Sequence, residues 1–546
     1  MSALALAGAQ SILYMKMLGS SIASKICGSV KRVFNTAAFA HPLNDGIMNK
    51  TSEVRNETSQ TFPELESPAR RLFVKGAAGL GGAFASSSFL SAAVPAQAQS
   101  HQQARPGKEI TPVQDGWGPF TPSSSAGRYL QIVYPPSTTA GELQLGVTYT
   151  LWIPDGIQTV RAVIVHQHGA SIPAAQAGAT SAYDLHWQAL AKKWDCVLLG
   201  PSYRVLNDAI DLTSGGAELW FDPRQGSDRV FLRALDEFAA KSGHAEIASV
   251  PWCLWGHSGG GIWANVMSML HPDRVLAAFL RSGTAAMFRS RNEFIQPTVT
   301  PATYEIPTMV NFGVGERGNR PWDGSIATFE EYRAQGAPIG LAPDPRTAHY
   351  CGDSRYLAIP FFEACLQMRL SEWTKILKPV DLSSAWLAIP FGSTAVSAAE
   401  FKGDPKKAVW LPNAHFAKIW MEYVRSGTVA DTSTPPAPVN VRVEAEANHG
   451  NEIKWDAEVD IVSGLGGFIV LRDGHGIARI PTQPPESVYG RPLFQGLSFH
   501  DTPIAPLPQM VHVDTSAKAG VKHVYTVIAL SSAGVPSKPS SAATIG

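Results

Sequence analysis

A serine lies at the apex of a glycine-flanked turn at residues 256–260, which read Gly-His-Ser-Gly-Gly. An apolar run at 252–255 precedes this turn, and a helix-like segment at 262–270 follows it. A serine on such a sharp strand-to-helix turn has strained backbone angles, and a Cβ on either flanking glycine would collide with the neighbouring strand or helix. The pattern therefore predicts that Ser258 is an exposed nucleophile, the alternative being an ordinary glycine-rich loop.

Chain length and charge limit the classes of protein that fit. The 546 residues predict three to four units of about 150 residues, or fewer if one of them is a large α/β domain. The 45 basic and 45 acidic residues balance, and no run of like charges stands out. Nothing in this balance indicates nucleic acid as a partner.

The N-terminal region has the build of an export signal. A pair of arginines at 70–71 precedes a weakly apolar segment at 76–94, and small residues at 96–98 form a cleavage site before Gln99. The arginine pair resembles a twin-arginine signal, which predicts a periplasmic or secreted protein. The Gly, Ala and Ser content of the segment argues against stable membrane insertion. We assign residues 1–98 to this leader; a start at Met48 would give it a more usual length.

Four cysteines remain after the leader, which contains Cys27. In an exported protein this even number is compatible with one or two disulfides. Cys351 and Cys365 flank a predicted helix start and form the better candidate pair. Cys196 and Cys253 lie in strand-like apolar runs and fit buried hydrophobic positions.

Apolar runs alternate with helical stretches from about residue 129 to 368, which predicts a parallel sheet covered by helices on both faces. The expected strands lie at 148–153, 162–165, 196–200, 275–280, 309–313 and 339–341, and the expected helices at 184–193, 229–241 and 354–370. We assign 110–430 to this catalytic domain, including an irregular extension with an amphipathic helix at 416–425.

The hydrophobic period changes to two after a proline-rich linker at 431–438. Short strand candidates at 439–443, 452–455, 467–472 and 525–530 predict a β-sandwich over 439–546. Its Pro-Ala-Pro entry, Trp455 and the alternating Tyr525, Val527 and Ala529 resemble a fibronectin type III module. The loop at 481–509 is longer than is usual for that family.

A serine nucleophile needs a base that is itself oriented by an acid. Glu316 closes a buried strand in a Gly-x-x-acid loop and is the preferred acid, with Asp323 in reserve. The alternative for Glu316 is a surface carboxylate paired with Arg317 or Arg320.

Two histidines after the acid are candidates for the base. His349 follows a strand and a loop and precedes a helix, which is the expected context for the chain order serine, acid, histidine. His415 also precedes a helix but lies much further along the chain. We favour His349 and expect His415 to be a surface or packing residue.

The oxyanion of the reaction intermediate needs donors that are already aimed at it. The backbone N–H of Gly259 is one candidate, and that of Ala170, in the loop after the third strand, is the other. Gly169 would let this loop approach the ligand closely. His166 and His168 could share one strand face and bind a metal, but we favour a bracing role for His168.

With these residues in place, residues 130–370 resemble the α/β-hydrolases, near the secreted esterases that include polyhydroxybutyrate depolymerases and feruloyl esterases. The resemblance implies an eight-stranded, mostly parallel sheet and a two-step acyl-enzyme mechanism. Ser258 would attack the ester, His349 would carry the proton and Glu316 would orient the imidazole. A glutamate at the acid position departs from the commoner aspartate. By analogy with polymer-degrading enzymes, the sandwich would be a spacer.

The sequence thus predicts an exported serine esterase that acts on a small or polymeric ester and needs no cofactor. Trp220 and Tyr203 are candidate substrate-binding residues, although packing is an equal alternative. A peptidase or amidase could use the same triad, but no N-terminal propeller or amine-binding acidic pair is found. A non-catalytic binding protein on a hydrolase scaffold is a further alternative. The oligomeric state stays open.

Overall fold

The computed structural model describes residues 127–204, 220–290, 294, 296–371, 376–446, 450–483, 489–506, 510–518 and 520–545. The predicted leader at 1–98, its export signal and Cys27 lie outside this part of the chain. Within the described ranges, none of the helices has the length and apolar character that a membrane span requires.

Eight of the described strands form one large sheet in the order β1-β2-β4-β3-β5-β6-β7-β8. The pairs β1–β2 and β2–β4 are antiparallel, and every other neighbouring pair is parallel. The predicted eight-stranded, mostly parallel sheet is therefore confirmed. The strands are β1 (Gly127–Tyr134), β2 (Val147–Pro154), β3 (Ala162–Gln167), β4 (Cys196–Tyr203), β5 (Trp252–His257), β6 (Val275–Arg281), β7 (Thr308–Gly313) and β8 (Ile339–Asp344).

Helices cover both faces of this sheet, which is why its central strands read as continuous apolar runs. Every residue of β3, β5 and β6 is buried. Helix α3 shows how the sequence directs this packing: Phe231, Leu235 and Phe238 share one buried face, and Gly243 ends the helix with a φ of 80°. The described helices are α1 (Ile172–Gly178), α2 (Leu185–Lys193), α3 (Ser227–Ser242), α4 (Gly259–Leu270), α5 (Arg320–Ala334), α6 (Arg355–Arg369) and α7 (Ala414–Ser426).

The predicted irregular extension contains a small antiparallel sheet in the order β10-β9-β11. Its strands are β9 (Trp386–Ala388), β10 (Ala395–Ser397) and β11 (Val409–Leu411). The amphipathic helix α7 packs beside the large sheet, and Trp420 donates a hydrogen bond to the Leu341 carbonyl on β8 at 2.9 Å. The extension therefore completes the core at the edge of the large sheet.

Seven further strands in the described residues form a C-terminal β-sandwich of a three-stranded and a four-stranded sheet, in the orders β12-β13-β16 and β15-β14-β17-β18. Trp455, Phe468 and Tyr525 lie in the core between the two sheets, as their alternation predicts. The strands are β12 (Val439–Glu446), β13 (Gly450–Asp456), β14 (Leu465–Arg472), β15 (His475–Ile480), β16 (Val511–Asp514), β17 (His523–Ser531) and β18 (Ala543–Ile545).

The sandwich packs directly on the hydrolase part, so the interpretation as a spacer is wrong. Leu185 of α2 packs against the sandwich core. His186 donates a hydrogen bond to the Ile461 carbonyl at 2.9 Å, and Tyr356 of α6 donates one to Ser532 at 3.1 Å. Both parts belong to one compact unit. A spacer would keep the two parts separate, whereas these contacts bury side chains from both.

The four described cysteines are buried free thiols, so the expected pairing of Cys351 with Cys365 is wrong. Cys351 precedes α6, and Cys365 lies in the third turn of that helix. Ten helical residues span about 15 Å, whereas the two Cα atoms of a disulfide lie within about 7 Å. A rigid helix therefore keeps these sulfurs apart.

Candidate active site

The turn at 256–260 links β5 to α4 and holds Ser258 at a φ of 54° and a ψ of −116°. A Cβ on Gly256 would lie 2.1 Å from the Gly260 carbonyl oxygen, and one on Gly260 would lie 2.4 Å from the Gln167 carbonyl oxygen on β3. Neither distance is compatible with a side chain. The two glycines are thus required by the helix and strand that close around the turn, and the serine carries the strained conformation.

Ser258, His349 and Glu316 come together at the carboxyl ends of the parallel strands. His349 Nε2 lies 2.9 Å from Ser258 Oγ, and His349 Nδ1 lies 2.6 Å from Glu316 Oε1. Ser258 follows β5, Glu316 follows β7 and His349 follows β8. These strands are far apart in sequence, but their carboxyl ends lie at the same edge of the sheet. In this geometry the imidazole can accept a proton from the serine while its other nitrogen donates to the carboxylate.

Glu316 is nearly enclosed by hydrogen-bond donors. Its Oε2 accepts from the Ser282 hydroxyl at 2.7 Å and from the Gly313 N–H at 3.1 Å. Burial alone would raise the pKa of this carboxyl group. The hydrogen bond and charge of His349, the charge of Arg281 and the Ser282 hydroxyl together outweigh burial and lower the pKa below its usual value. The Glu316 carboxyl group is therefore ionised at neutral pH.

The reserve candidates lie elsewhere. His415 is exposed in the first turn of α7, and Asp323 is exposed in the first turn of α5. Glu316 is hydrogen-bonded to His349 rather than paired with Arg317 or Arg320 on the surface. The structure thus brings together the preferred residues and not the alternatives.

The two predicted oxyanion donors belong to adjacent backbone segments. A Cβ on Gly259 would lie 3.1 Å from the Ala170 nitrogen, and one on Gly169 would lie 3.4 Å from the Ser258 Cβ. The 168–171 loop therefore lies directly against the turn at Ser258. This closeness is what two N–H groups need if they are to share one oxyanion.

His168 holds that loop in place, as we expected. Its Nδ1–H donates to the Gly169 carbonyl at 2.5 Å, and its Nε2 accepts from the Tyr203 N–H at 3.0 Å. Burial lowers the pKa of His168 to about 3, so the ring is neutral and keeps this tautomer. His166 lies elsewhere, stacked on Trp255 with ring centroids 4.0 Å apart. The two histidines have separate partners and do not form a pair.

Tyr203 and Trp220 have no exposed surface, which argues against their predicted substrate contact. Their rings stack at 4.4 Å, and Trp220 also packs against His168 at 4.8 Å. Both therefore pack behind the 168–171 loop. Packing, the alternative interpretation, describes their position better because a side chain without accessible surface cannot touch a substrate.

Arg281 and Ser282 contribute to the site and were missed by sequence reasoning. Arg281 is fully buried at the end of β6 and donates to Thr347 Oγ1 at 2.8 Å and to the Ala348 carbonyl at 3.2 Å. It thereby fixes the loop that carries His349. Ser282, at a φ of 52°, turns its hydroxyl onto Glu316. The only feature of the sequence that could have indicated them was their position at the end of a predicted buried strand.

The likeness to known proteins is confined to solved structures. A thermostable esterase is 17% identical over 39% of this chain and 54% of its own, with a TM-score of 0.30. This chain thus spans about half the length of that esterase. An S-formylglutathione hydrolase from Agrobacterium tumefaciens is 19% identical over 45% of this chain and 96% of its own, with a TM-score of 0.31. A fibronectin III-like protein from Clostridium thermocellum is 19% identical over 21% of this chain and 94% of its own, with a TM-score of 0.13.

No protein-family model and no curated protein matches the chain. At these identities and TM-scores, the fold assignment rests on the strand order and on the turn at Ser258 rather than on the neighbours. Those features define an α/β-hydrolase fold. The three-plus-four arrangement of the C-terminal strands defines a sandwich of the fibronectin type III kind.

Proposed function

We propose that this protein is a serine hydrolase that cleaves carboxylic ester bonds through an acyl-enzyme intermediate. The observation that carries the proposal is the unbroken hydrogen-bond chain from Ser258 through His349 to Glu316, with distances of 2.9 and 2.6 Å. The strained backbone of Ser258 and the two adjacent backbone donors support the same chemistry. Acyl transfer by such a triad requires no cofactor.

In the first half-reaction, Ser258 Oγ attacks the ester carbonyl carbon while His349 Nε2 accepts the hydroxyl proton. The N–H groups of Gly259 and Ala170 stabilise the negative oxygen of the tetrahedral intermediate. His349 then donates the proton to the leaving alcohol, and the acyl group stays on Ser258. Glu316 keeps the proton of His349 on Nδ1 and stabilises the imidazolium that forms during transfer.

In the second half-reaction, water replaces the alcohol. His349 Nε2 accepts a proton from the water, whose oxygen attacks the acyl carbon. Collapse of the second tetrahedral intermediate releases the carboxylic acid and returns the proton to Ser258. Both small and polymeric esters are candidate substrates.

The test is hydrolysis of p-nitrophenyl esters from acetate to dodecanoate by the chain starting at Gln99. We expect activity in the wild type and its loss in Ser258→Ala and His349→Ala. The exposed His415→Ala is the matched control and should keep wild-type activity. Loss of activity in His415→Ala, with retention in His349→Ala, would contradict the assignment of the base.

A wild-type protein that cleaves no ester of the panel would contradict the esterase proposal. Peptide and amide substrates should then be tested, because the same triad serves amidases. If none of these is cleaved, the binding interpretation would gain support from a Ser258→Ala protein with full biological effect.

We further propose that the protein is exported by a twin-arginine-type signal. The support is the sequence pattern of arginine pair, weakly apolar segment and small residues before Gln99. Expression of the full chain should yield a mature protein whose N-terminal residue is Gln99. Replacing both Arg70 and Arg71 by lysine should retain the protein in the cytoplasm, and unchanged export of that variant would contradict the proposal.

A further inference from the structure

The loop of the sandwich that lies between β15 and β16 reaches the candidate active site. Residues 489–506 are the longest described stretch of this loop, and we call them the docking loop. The Phe499 ring lies 6.4 Å from the His349 ring and 5.9 Å from the His257 ring, measured between centroids. The Phe499 carbonyl accepts a hydrogen bond from the Cys351 N–H at 3.2 Å. The C-terminal part of the chain thus contacts the loop that presents the base.

His257, the residue before the nucleophile, connects the docking loop to His349. His257 Nε2 lies 2.7 Å from the His349 carbonyl oxygen. A carbonyl oxygen only accepts, so Nε2 of His257 carries the proton and donates. Burial, together with the nearby His349, His500 and Arg281, lowers the pKa of His257 well below its usual range, which keeps the ring neutral. Nδ1 of this neutral ring is therefore an acceptor.

His500 of the docking loop supplies the donor that this acceptor needs. Its Nδ1 lies 3.3 Å from His257 Nδ1, and their ring centroids are 5.4 Å apart. Since His257 Nδ1 accepts, His500 Nδ1 donates. Burial lowers the pKa of His500 to about 3, with the neighbouring His168 and His349 acting in the same direction, so both rings are neutral at working pH. The result is a directed chain of hydrogen bonds from His500 through His257 to the backbone of His349.

The residue after His500 anchors the docking loop in the hydrolase part. Asp501 Oδ1 accepts from Arg355 Nε at 2.8 Å, and Asp501 Oδ2 lies 3.3 Å from Nε2 of His166 and from Nε1 of Trp187. Arg355 also binds Asp184 at 2.8 Å, and the side chains of this ion cluster are at most 2% exposed. An anchor with this many directed bonds fixes the position of the neighbouring His500.

We propose that His500 is a positioning residue for the catalytic base: the sandwich orients His349 through His257, and so forms part of the catalytic unit. The inference rests on the proposed function, because it assigns His349 as the base. His500 acts through His257, and its hydrogen bond holds the imidazole of His257 in the orientation that supports the His349 carbonyl. A small error in the placement of a base slows the chemical step more than it weakens substrate binding.

The experiment compares His500→Ala and His500→Asn in the full mature chain. Asparagine places an N–H donor near the position of His500 Nδ1, and alanine removes it. We expect His500→Ala to lower kcat about tenfold with KM changed less than about twofold, and His500→Asn to recover most of the rate. The rate at which a fluorophosphonate labels Ser258 should fall in parallel, and it needs no knowledge of the natural ester.

His475→Ala is the matched control, because His475 is an exposed histidine of the same sandwich. It should keep the wild-type kcat and labelling rate. His500→Leu removes the donor while keeping side-chain volume, so it replaces the alanine variant if His500→Ala does not fold. Thermal unfolding of each variant shows that the compared proteins are folded.

An active wild type whose kcat and labelling rate are unchanged in His500→Ala would overturn the positioning role alone. The same holds if His500→Asn is as slow as His500→Ala, since packing rather than the hydrogen bond would then explain the loss. A wild type that neither hydrolyses esters nor reacts with fluorophosphonate would overturn the proposed function, and the positioning role with it.

Discussion

Two buried carboxylates, Glu316 and Asp501, differ in their partners. Glu316 binds the imidazole of His349 at 2.6 Å, and Asp501 binds the guanidinium of Arg355 at 2.8 Å. The His349 side chain is 19% exposed, whereas both side chains of the Arg355–Asp501 pair are fully buried. Both carboxyl groups have pKa values below their usual range.

The comparison shows that an imidazole partner fits a carboxylate that takes part in a reaction, whereas a guanidinium partner fits a carboxylate that anchors a loop. An imidazole can accept a proton from a serine and return it, so the pair with Glu316 can change charge during a reaction. A guanidinium keeps its charge, so the pair of Asp501 with Arg355 is permanent. Removing one partner of such a buried pair leaves an uncompensated charge.

The largest expected effect tests the first half of this comparison. Glu316→Gln should lower kcat by about 10³- to 10⁴-fold, because the amide no longer fixes the productive tautomer of His349. Its thermal unfolding should change little compared with that of Asp501→Asn. Ester hydrolysis and thermal unfolding measure the two effects. The exposed Asp323→Asn is the control, and a loss of activity in it instead of in Glu316→Gln would reverse the assignment of the acid.

The second test changes the anchoring carboxylate in the same way. Asp501→Asn should lower the free energy of unfolding by about 3–5 kcal/mol, since Arg355 loses a buried counter-charge. Urea unfolding measures this loss. Glu458→Gln removes an exposed ion pair with Lys192 between the same two parts of the chain and should cost less than about 1 kcal/mol. Equal effects of the two substitutions would show that the buried cluster is not an anchor.

A third test uses three buried histidines of the hydrolase part, His168, His186 and His257. Burial lowers the pKa of His168 to about 3 and that of His186 to about 4, and it also lowers that of His257. Below pH ~6.5 the unfolded chain binds protons that the folded protein excludes, so stability falls as pH decreases from 7 towards 4. The expected slope is about 1 kcal/mol per pH unit for each histidine.

Urea unfolding between pH 7.5 and 4.5 measures that slope. His186→Gln keeps a donor towards the Ile461 carbonyl and removes the titrating ring, so its profile should be shallower than that of the wild type. If the unfolding free energy of His186→Gln depended on pH as steeply as that of the wild type, the His186 ring would bind protons equally in the folded and the unfolded protein.

The smallest expected effect is the loss of stability when a buried hydroxyl group outside both carboxylate sites is removed. Tyr203→Phe removes a hydrogen bond of 3.1 Å to the Tyr149 hydroxyl and should cost about 1 kcal/mol. Because Tyr203 has no exposed surface, KM for the best p-nitrophenyl ester should stay unchanged. A raised KM with unchanged stability would instead support the substrate contact predicted from the sequence.

Local patterns predicted much of the hydrolase part. The glycines at 256–260 predicted Ser258 because the turn itself leaves no room for a Cβ on Gly256. The nearest atom that excludes a Cβ on Gly260 belongs to β3, the neighbouring strand of the sheet. Buried strands also predicted the region of Glu316 and His349, since parallel strands bring their carboxyl ends to one edge. The disulfide was wrong because the rise of α6 separates Cys351 from Cys365, and the spacer was wrong because it depends on how distant segments pack.

The sequence by itself determined the secondary-structure elements and their order, because the spacing of apolar residues and the positions of glycines can be seen in the chain itself. The tertiary structure alone decided that His500 lies against His257 and that Asp501 lies against Arg355, residues more than 140 positions apart. The unusual length of the loop at 481–509 was the only signal of this docking. Such contacts leave no periodic pattern, because they arise from the shape and charge of two surfaces that meet only after each part has folded.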